Sequence, residues 1–275
     1  MFRRFDGSPS EVHPYRRMMQ FLMPGRNESA VYFEQTLDLS RTLPWIEQWN
    51  RRGEGHATLF QLILHGISSV LHERPRLNRF VAGRRLYDRD GVYISFSAKK
   101  RMDDDAPLAT VKRRFEPAET FVEMVSSLGA QVGEARSDKK SVIDRELSIL
   151  LRLPSPVLAA TVGLLKRLDA VGLAPRALLE SDPMYASAFV ANLGSLKIDA
   201  AYHHLYEHGN CPLFVAVGQV TKTPWVGNDG VVSARPTVML RYTYDERIED
   251  GHYCAHALDL LRRRVEDPAM WIGSR

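Results

Sequence analysis

Residues Pro236–Pro268, PTVMLRYTYDERIEDGHYCAHALDLLRRRVEDP, divide into three parts by the period of their apolar residues. Val238, Leu240, Tyr242 and Tyr244 alternate with Thr237, Met239, Arg241 and Thr243, the period-two pattern of a strand. From Asp250, a good N-cap, the period changes: Cys254, Ala257, Leu258, Leu261 and Val265 form a helical stripe. Arg262, Arg263 and Arg264 crowd the last turns, where cations suit the helix dipole, and Pro268 ends the run. The acidic turn from Asp245 to Gly251 is therefore held between two packed elements, a place where chemistry can sit.

The chain has 275 residues, 44% hydrophobic and 25% charged, enough for one large domain or two small ones. A net charge of +4 suits anionic ligands and is too weak to argue for nucleic acid. Two cysteines, Cys211 and Cys254, make no disulfide framework and fit a reducing cytoplasm. The residues show no signal-peptide pattern, and the most apolar run, Leu153 to Leu165, is too short for a transmembrane segment.

Working back toward the start, Leu213–Thr221 reads as a buried strand joined through Gly227–Gly230 to the final strand, and Met184–Gly194 as a strand ending in Asn192-Leu193-Gly194. Residues 141–183 give helical segments broken by Pro154, Pro156, Gly163, Gly172 and Pro175. Their apolar residues, with Arg152, Lys166 and Arg167, read as a helical insertion packed on the domain or a partner, with a membrane-surface helix as the alternative. Residues 107–135 carry helical signals, with Phe121, Met124, Val125 and Leu128 on one face. Asp103-Asp104-Asp105 after Lys99-Lys100-Arg101 reads as a solvated loop. Residues 75–98 give a turn and strands broken at Asp90-Gly91, after a helix over Leu59–Leu71. Ala30–Leu39 alternates as a strand, and Ser40 is placed to cap a helix over Thr42–Asn50. Residues 1–25 lack periodicity and read as an N-terminal arm, docked on a surface such as a neighbouring subunit's or simply frayed.

The turn resembles the signature of dihydrolipoamide acyltransferase catalytic domains of 2-oxo acid dehydrogenase complexes, Asp-His-Arg-x-x-Asp-Gly before a helix with a Glu-Asp-Pro-like end. The chloramphenicol acetyltransferases share the inner His-x-x-x-Asp-Gly. Asp245, Arg247, Asp250, Gly251, Glu266, Asp267 and Pro268 fall into register, while the position of the family's catalytic histidine holds Glu246. The family's strand end, Thr-Ile-Ser-Asn-Leu-Gly, stands here as Phe189-Val190-Ala191-Asn192-Leu193-Gly194, so Phe189 and Ala191 replace both hydroxyls. The resemblance implies an α+β sandwich of a mixed sheet and helices, chloramphenicol acetyltransferase-like, as a single domain over residues 26–275 with the insertion at 141–183. It implies a homo-oligomer, a trimer or multiple of trimers, because the family's site lies between subunits. Coenzyme A or an acyl-coenzyme A is the implied ligand, with no covalently bound cofactor. The sequence shows no lipoyl or peripheral-subunit-binding domain ahead of the core.

In the family the histidine is general base on a thiol, the strand hydroxyl stabilises the oxyanion, and the aspartate matching Asp250 makes an ion pair that shapes the turn. Arg247, Gly251 and Asn192 complete that frame. A glutamate at its ordinary pKa is about 4 units from a thiol, roughly 5.7 kcal/mol uphill, against about 2.7 kcal/mol for histidine. An ionised Glu246 would also repel a developing oxyanion. Glu246 thus reads first as a structural or ligand-orienting carboxylate and second as a base, with His252 as a further candidate base. His252 and His256 stand four apart, a metal-pair spacing without a third ligand, so no metal is expected. His203, His204, His208 and Cys211 form the densest cluster of metal-type ligands, with a polar strand connection as the default reading. The expected function is a non-catalytic or atypical relative acting in assembly or acyl/coenzyme A-like ligand binding. The alternative is a coenzyme A-dependent acyltransferase using Glu246 or His252.

Overall fold

The computed structural model describes residues 4–53, 55–99, 108–136, 152–227 and 229–272. A six-stranded sheet runs in the order β2 (Ala30–Asp38), β9 (Val232–Asp245), β8 (Leu213–Val226), β7 (Ala188–Asn192), β5 (Val92–Lys99) and β6 (Leu108–Phe115). β7 is parallel to both neighbours and the other pairs are antiparallel, so the sheet is mixed. Val238, Leu240, Tyr242 and Tyr244 on β9 are at most 2% exposed and face the main core, as their alternation predicts.

Four helices supply the other side of that core: α2 (Thr42–Arg51), α3 (Leu59–Glu73), α4 (Phe121–Arg136) and α7 (Gly251–Glu266). α3 starts at a capping box, the Thr58 hydroxyl and Gln61 amide satisfying each other's backbone N–H groups. It then buries Leu62, Ile63, Ile67, Val70 and Leu71. Phe121, Met124, Val125 and Leu128 of α4 are buried on one face, and Cys254, Ala257, Leu261 and Val265 of α7 on another. Among the described residues no helix is long and apolar enough to cross a membrane.

The sheet's second face is covered by the segment 193–212, which seals a smaller apolar cluster of Phe189, Leu205, Phe214 and Ala216. Beyond the sheet edge, β1 (Gly7–Pro9), β4 (Arg85–Arg89) and β3 (Arg79–Ala82) make a three-stranded sheet. The insertion contributes α5 (Ser155–Ala170) and α6 (Arg176–Ser181). Lys112 of β6 donates to the carbonyls of Leu179, Glu180 and Asp182, closing the end of α6, and burial lowers its pKa to about 8. Arg4 bridges Asp6 and Asp169. Gly83, at φ +55°, lies so close to the end of α5 that a Cβ would stand 1.9 Å from the Ala170 carbonyl oxygen.

Several expectations change in the fold. Residues 1–25 were read as an arm docked on a surface, such as a neighbour's, or frayed; β1 pairs with β4 of its own chain and Arg4 is buried against its own aspartates. Residues 108–115 are a strand, not the start of a helix, because Val111, Arg113 and Phe115 are buried alternately while β6 pairs with β5. Ser40 caps nothing: its hydroxyl donates to Asp38, and α2 starts from Arg41 without a side-chain cap. The strand expected over 184–194 shortens to β7, since Asn192 opens a 3-10 turn over Leu193–Leu196. The 103–105 loop and residues 141–151 of the insertion lie outside the described residues.

His65 of α3 stacks on Trp271 of α8 (Ala269–Ile272), with ring centroids 4.9 Å apart, and tilts against Phe121 at 5.4 Å. Burial, then nearby Arg264 and Arg113, lower its pKa to about 4. The unfolded chain therefore binds a proton that the folded chain refuses, so this stability is complete above about pH 6.5 and lost as pH falls toward 4. His65→Phe should lose less unfolding free energy than the parent between those limits, by about 3 kcal/mol at the acid end. Parallel pH profiles of thermal unfolding would show the assignment to be wrong.

Candidate active-site turn

β9 ends at Asp245, whose carboxylate is 1% exposed and receives Arg247 side-on: Nε to Oδ1 at 2.8 Å and Nη2 to Oδ2 at 2.7 Å. The Arg247 backbone N–H (3.1 Å) and the Ser29 hydroxyl (2.9 Å) also donate to Oδ1. Arg247 Nη1 reaches the carbonyls of Met23 and Pro24 at 2.9 and 3.0 Å. Every strong acceptor and donor of this buried pair thus has a partner, which a buried ion pair requires. Two residues' separation lets the Arg247 guanidinium fold back onto Asp245, while Asp250 is engaged with the start of α7 and with Arg16. Asp250 Oδ1 caps α7 by accepting from the Tyr253 N–H at 2.9 Å, and this bond first, then Arg16, holds its carboxyl below the ordinary range.

Glu249, 3% exposed at its side chain, is surrounded by Arg79 at 3.1 Å and by Arg16 and Arg76 at 3.3 Å. Arg74 and Arg76 sandwich the Tyr253 ring, their guanidinium carbons 3.9 and 4.1 Å from its centroid. These groups escape a reading of the sequence. The only local sign is that Glu249 lies in the acidic turn, and its arginines come from 170 to 233 positions away in the chain (249−79 and 249−16).

Glu246 is half-buried at the crest of the turn. Its N–H donates to the Ser29 carbonyl (2.9 Å), its own carbonyl accepts from Arg16 Nη1 (3.3 Å), and among the described residues its carboxylate accepts no hydrogen bond. His252 is exposed one helical step on, and its Nε2 lies 3.3 Å from Nε2 of His256. One imidazole must donate to the other, which turns His252 along the outer face of α7. Gly251 is exposed as the first residue of that helix. Behind the turn a void of about 40 Å³ has only apolar walls, including Leu213, Tyr244, Ile248 and Cys254. Burial pushes the Cys254 thiol up to about 12, so it remains protonated.

The strand end is equally dry. Phe189 stacks on Phe214 at 5.3 Å, and His203 lies flat on Phe214 at 3.8 Å. Ala191 sits opposite Ala216 on the same sheet face. Asn192 accepts from the Ser195 N–H at 3.2 Å, capping the 3-10 turn. A Cβ on Gly194 would come within 2.4 Å of the Gly218 carbonyl oxygen, so the close approach of this turn to β8 requires glycine. The histidine cluster is dispersed: His203 and His204 turn to backbone carbonyls, His208 pairs with Asp182, and Cys211 is buried. Among the described residues no group of three or more His, Cys, Asp or Glu side chains could hold a metal.

Residues 174–272 match the family model described as 2-oxoacid dehydrogenases acyltransferase (catalytic domain). That segment contains β7, β8, β9, the turn and α7. The fold as a whole matches a probable dihydrolipoamide acetyltransferase from Listeria monocytogenes at 15% identity and TM-score 0.61, over 98% of this chain and 96% of that one. It also matches the Azotobacter vinelandii dihydrolipoamide acetyltransferase at 16% identity and TM-score 0.62, over 95% and 93%. A chloramphenicol acetyltransferase matches at 11% identity and TM-score 0.56, over 94% and 98%. No curated protein matches in sequence. The architecture is thus the expected α+β sandwich of chloramphenicol acetyltransferase-like acyltransferase cores.

Removing Arg247 leaves Asp245 buried without its ion-pair partner, so Arg247→Ala should cost about 3–5 kcal/mol in urea unfolding. Glu246→Gln, at a half-buried side chain without partners, should stay within about 1 kcal/mol. Similar losses for both variants would contradict this division between frame and crest.

Proposed function

We propose that this protein is a non-catalytic or atypical acyltransferase-like core that serves oligomeric assembly or binds an acyl or coenzyme A-like ligand. The observation that carries the reading is the chemistry of the two half-sites. The crest of the turn presents a carboxylate, and the strand end presents Phe189 and Ala191 packed in an apolar cluster. Neither offers the imidazole or hydroxyl that acyl transfer to a thiol uses, and an anionic Glu246 beside an oxyanion opposes its formation. The apolar surroundings of Phe189 and Ala191 support a preference for hydrocarbon over a polar intermediate.

Restoration tests this directly. Glu246→His with Ala191→Ser should gain acetyl transfer from acetyl-coenzyme A to a small dithiol, while the parent stays at the uncatalysed rate. Turnover by the parent, abolished by Glu246→Gln, would replace this reading with an acyltransferase using Glu246 as base. His252 is the weaker candidate for that role, given its engagement with His256.

Assembly has its own support. Segment 193–212 leaves Leu196, Ile198, Tyr202 and Tyr206 exposed at 47%, 49%, 52% and 37% on the sheet's second face, an apolar layer of the kind that subunits cover. One structural relative, at 17% identity and TM-score 0.60, is the cubic core of the pyruvate dehydrogenase multienzyme complex. Light scattering should give a trimer or a multiple of trimers. A monomer at micromolar concentration would remove the assembly role.

A further inference from the structure

α5, SPVLAATVGLLKRLDA, is largely apolar, yet none of its residues is buried. Val157 and Leu164, two turns apart on one stripe, are 48% and 57% exposed, and Val171 and Leu173 continue at 48% and 54%. A helix of a globular domain ordinarily turns such a stripe inward. The last turn of α5 is anchored by Arg4 on Asp169 and by Gly83 against Ala170.

At that anchored end lies a recess of about 180 Å³ whose wall includes Gln20, Arg84, Lys166 and Tyr185. Gln20 is 1% exposed, and its Nε2 has no hydrogen-bond partner. Arg26 borders the recess too, and the bonds it makes go to backbone carbonyls, so it adds positive charge there, whereas the charge of Arg247 is met by Asp245. Of the two carboxylates on the wall, Asp169 is taken up by Arg4, and Glu207 accepts from Asn27.

The rim is cationic and apolar together. Arg84 lies 5.9 Å over the ring of Phe21, and Phe21 and Leu22, at the end of α1 (Pro14–Leu22), are 58% and 65% exposed. Arg17, Arg84, Arg85, Lys166 and Arg167 are exposed and make no ion pair among the described residues. A second copy applied by two-fold symmetry would set this cationic rim against itself. An anionic bilayer complements both of its features.

We propose that this face docks on a membrane surface carrying anionic phospholipid. A headgroup phosphate sits in the recess on Gln20 Nε2, Arg84 and Lys166, and Phe21 and Leu22, beside Arg84, enter the headgroup–acyl boundary.

The test is co-sedimentation of the full chain with vesicles of phosphatidylcholine alone or mixed with phosphatidylglycerol. Binding is expected to the mixed vesicles and not to the neutral ones. Arg84→Gln with Lys166→Gln should weaken it roughly thirty-fold, each basic residue contributing about fivefold at an anionic surface. Phe21→Ser with Leu22→Ser, both at exposed positions, should weaken it further while circular dichroism and the unfolding midpoint stay at the parent's values. Equal sedimentation with both vesicle types, or none with either, overturns the proposal. So does displacement by free glycerol phosphate with the serine variant binding like the parent, which would make the recess a site for soluble anions. A serine variant that changes oligomeric mass while binding vesicles normally would make the face a protein interface and also overturn it.

Discussion

The buried pairing of Arg247 with Asp245 is the constraint from which the rest of the site follows. Two charges inside a protein are tolerable only when the geometry is side-on and the remaining lone pairs and N–H groups are satisfied. Here that requirement reaches outward. Asp245 takes the Ser29 hydroxyl as well, and Arg247 takes the carbonyls of Met23 and Pro24. The end of β9, the turn before α7 and the chain entering β2 therefore close on one another together. Glu249 extends the same logic, drawing Arg16, Arg76 and Arg79 from three separate elements onto one carboxylate.

Because of these demands, the frame around the site has reasons to exist that do not involve catalysis. Asp250 is a helix cap, Asn192 caps a 3-10 turn, and Gly194 permits a backbone approach that any side chain would block. Frame and chemistry are separable for that reason. A turn can stay rigid with a glutamate at its crest, and a strand end can stay capped with phenylalanine and alanine beside it.

A second buried network binds the peripheral parts to the sandwich. Arg4 spans Asp6 and Asp169, and Asn210 donates to Asp6 and accepts from Arg89. Arg89 is buried over Phe80, and its burial first, partly opposed by Asp6, lowers its pKa to about 10. Charges so desolvated hold their partners by directional hydrogen bonds. The network joins β1, β4, the end of α5 and the segment before β8, which is why residues near the start of the chain lie on their own domain. It also leaves the outer face of α5 uncovered.

Local pattern was sufficient for β9, the turn, α7, α3 and the buried face of α4, because each carries its core residues at a period that only one secondary structure satisfies. The resemblance in the turn then implied the sandwich. Residues 108–115 were misread because a short apolar–basic run fits either period, and only pairing with β5 decides it. The Glu249 cluster and the Asp245–Arg247 pairing could not be read, since charged residues have no periodicity and their partners are chosen by proximity after folding. The same holds for Gln20, Arg84 and Lys166, which share one recess only because Gly83 lets the end of α5 press against the β3–β4 turn. Sequence determined which faces are apolar and where the elements start. Tertiary structure decided which charges meet, because desolvation makes each buried ion find its counter-ion regardless of its place along the chain.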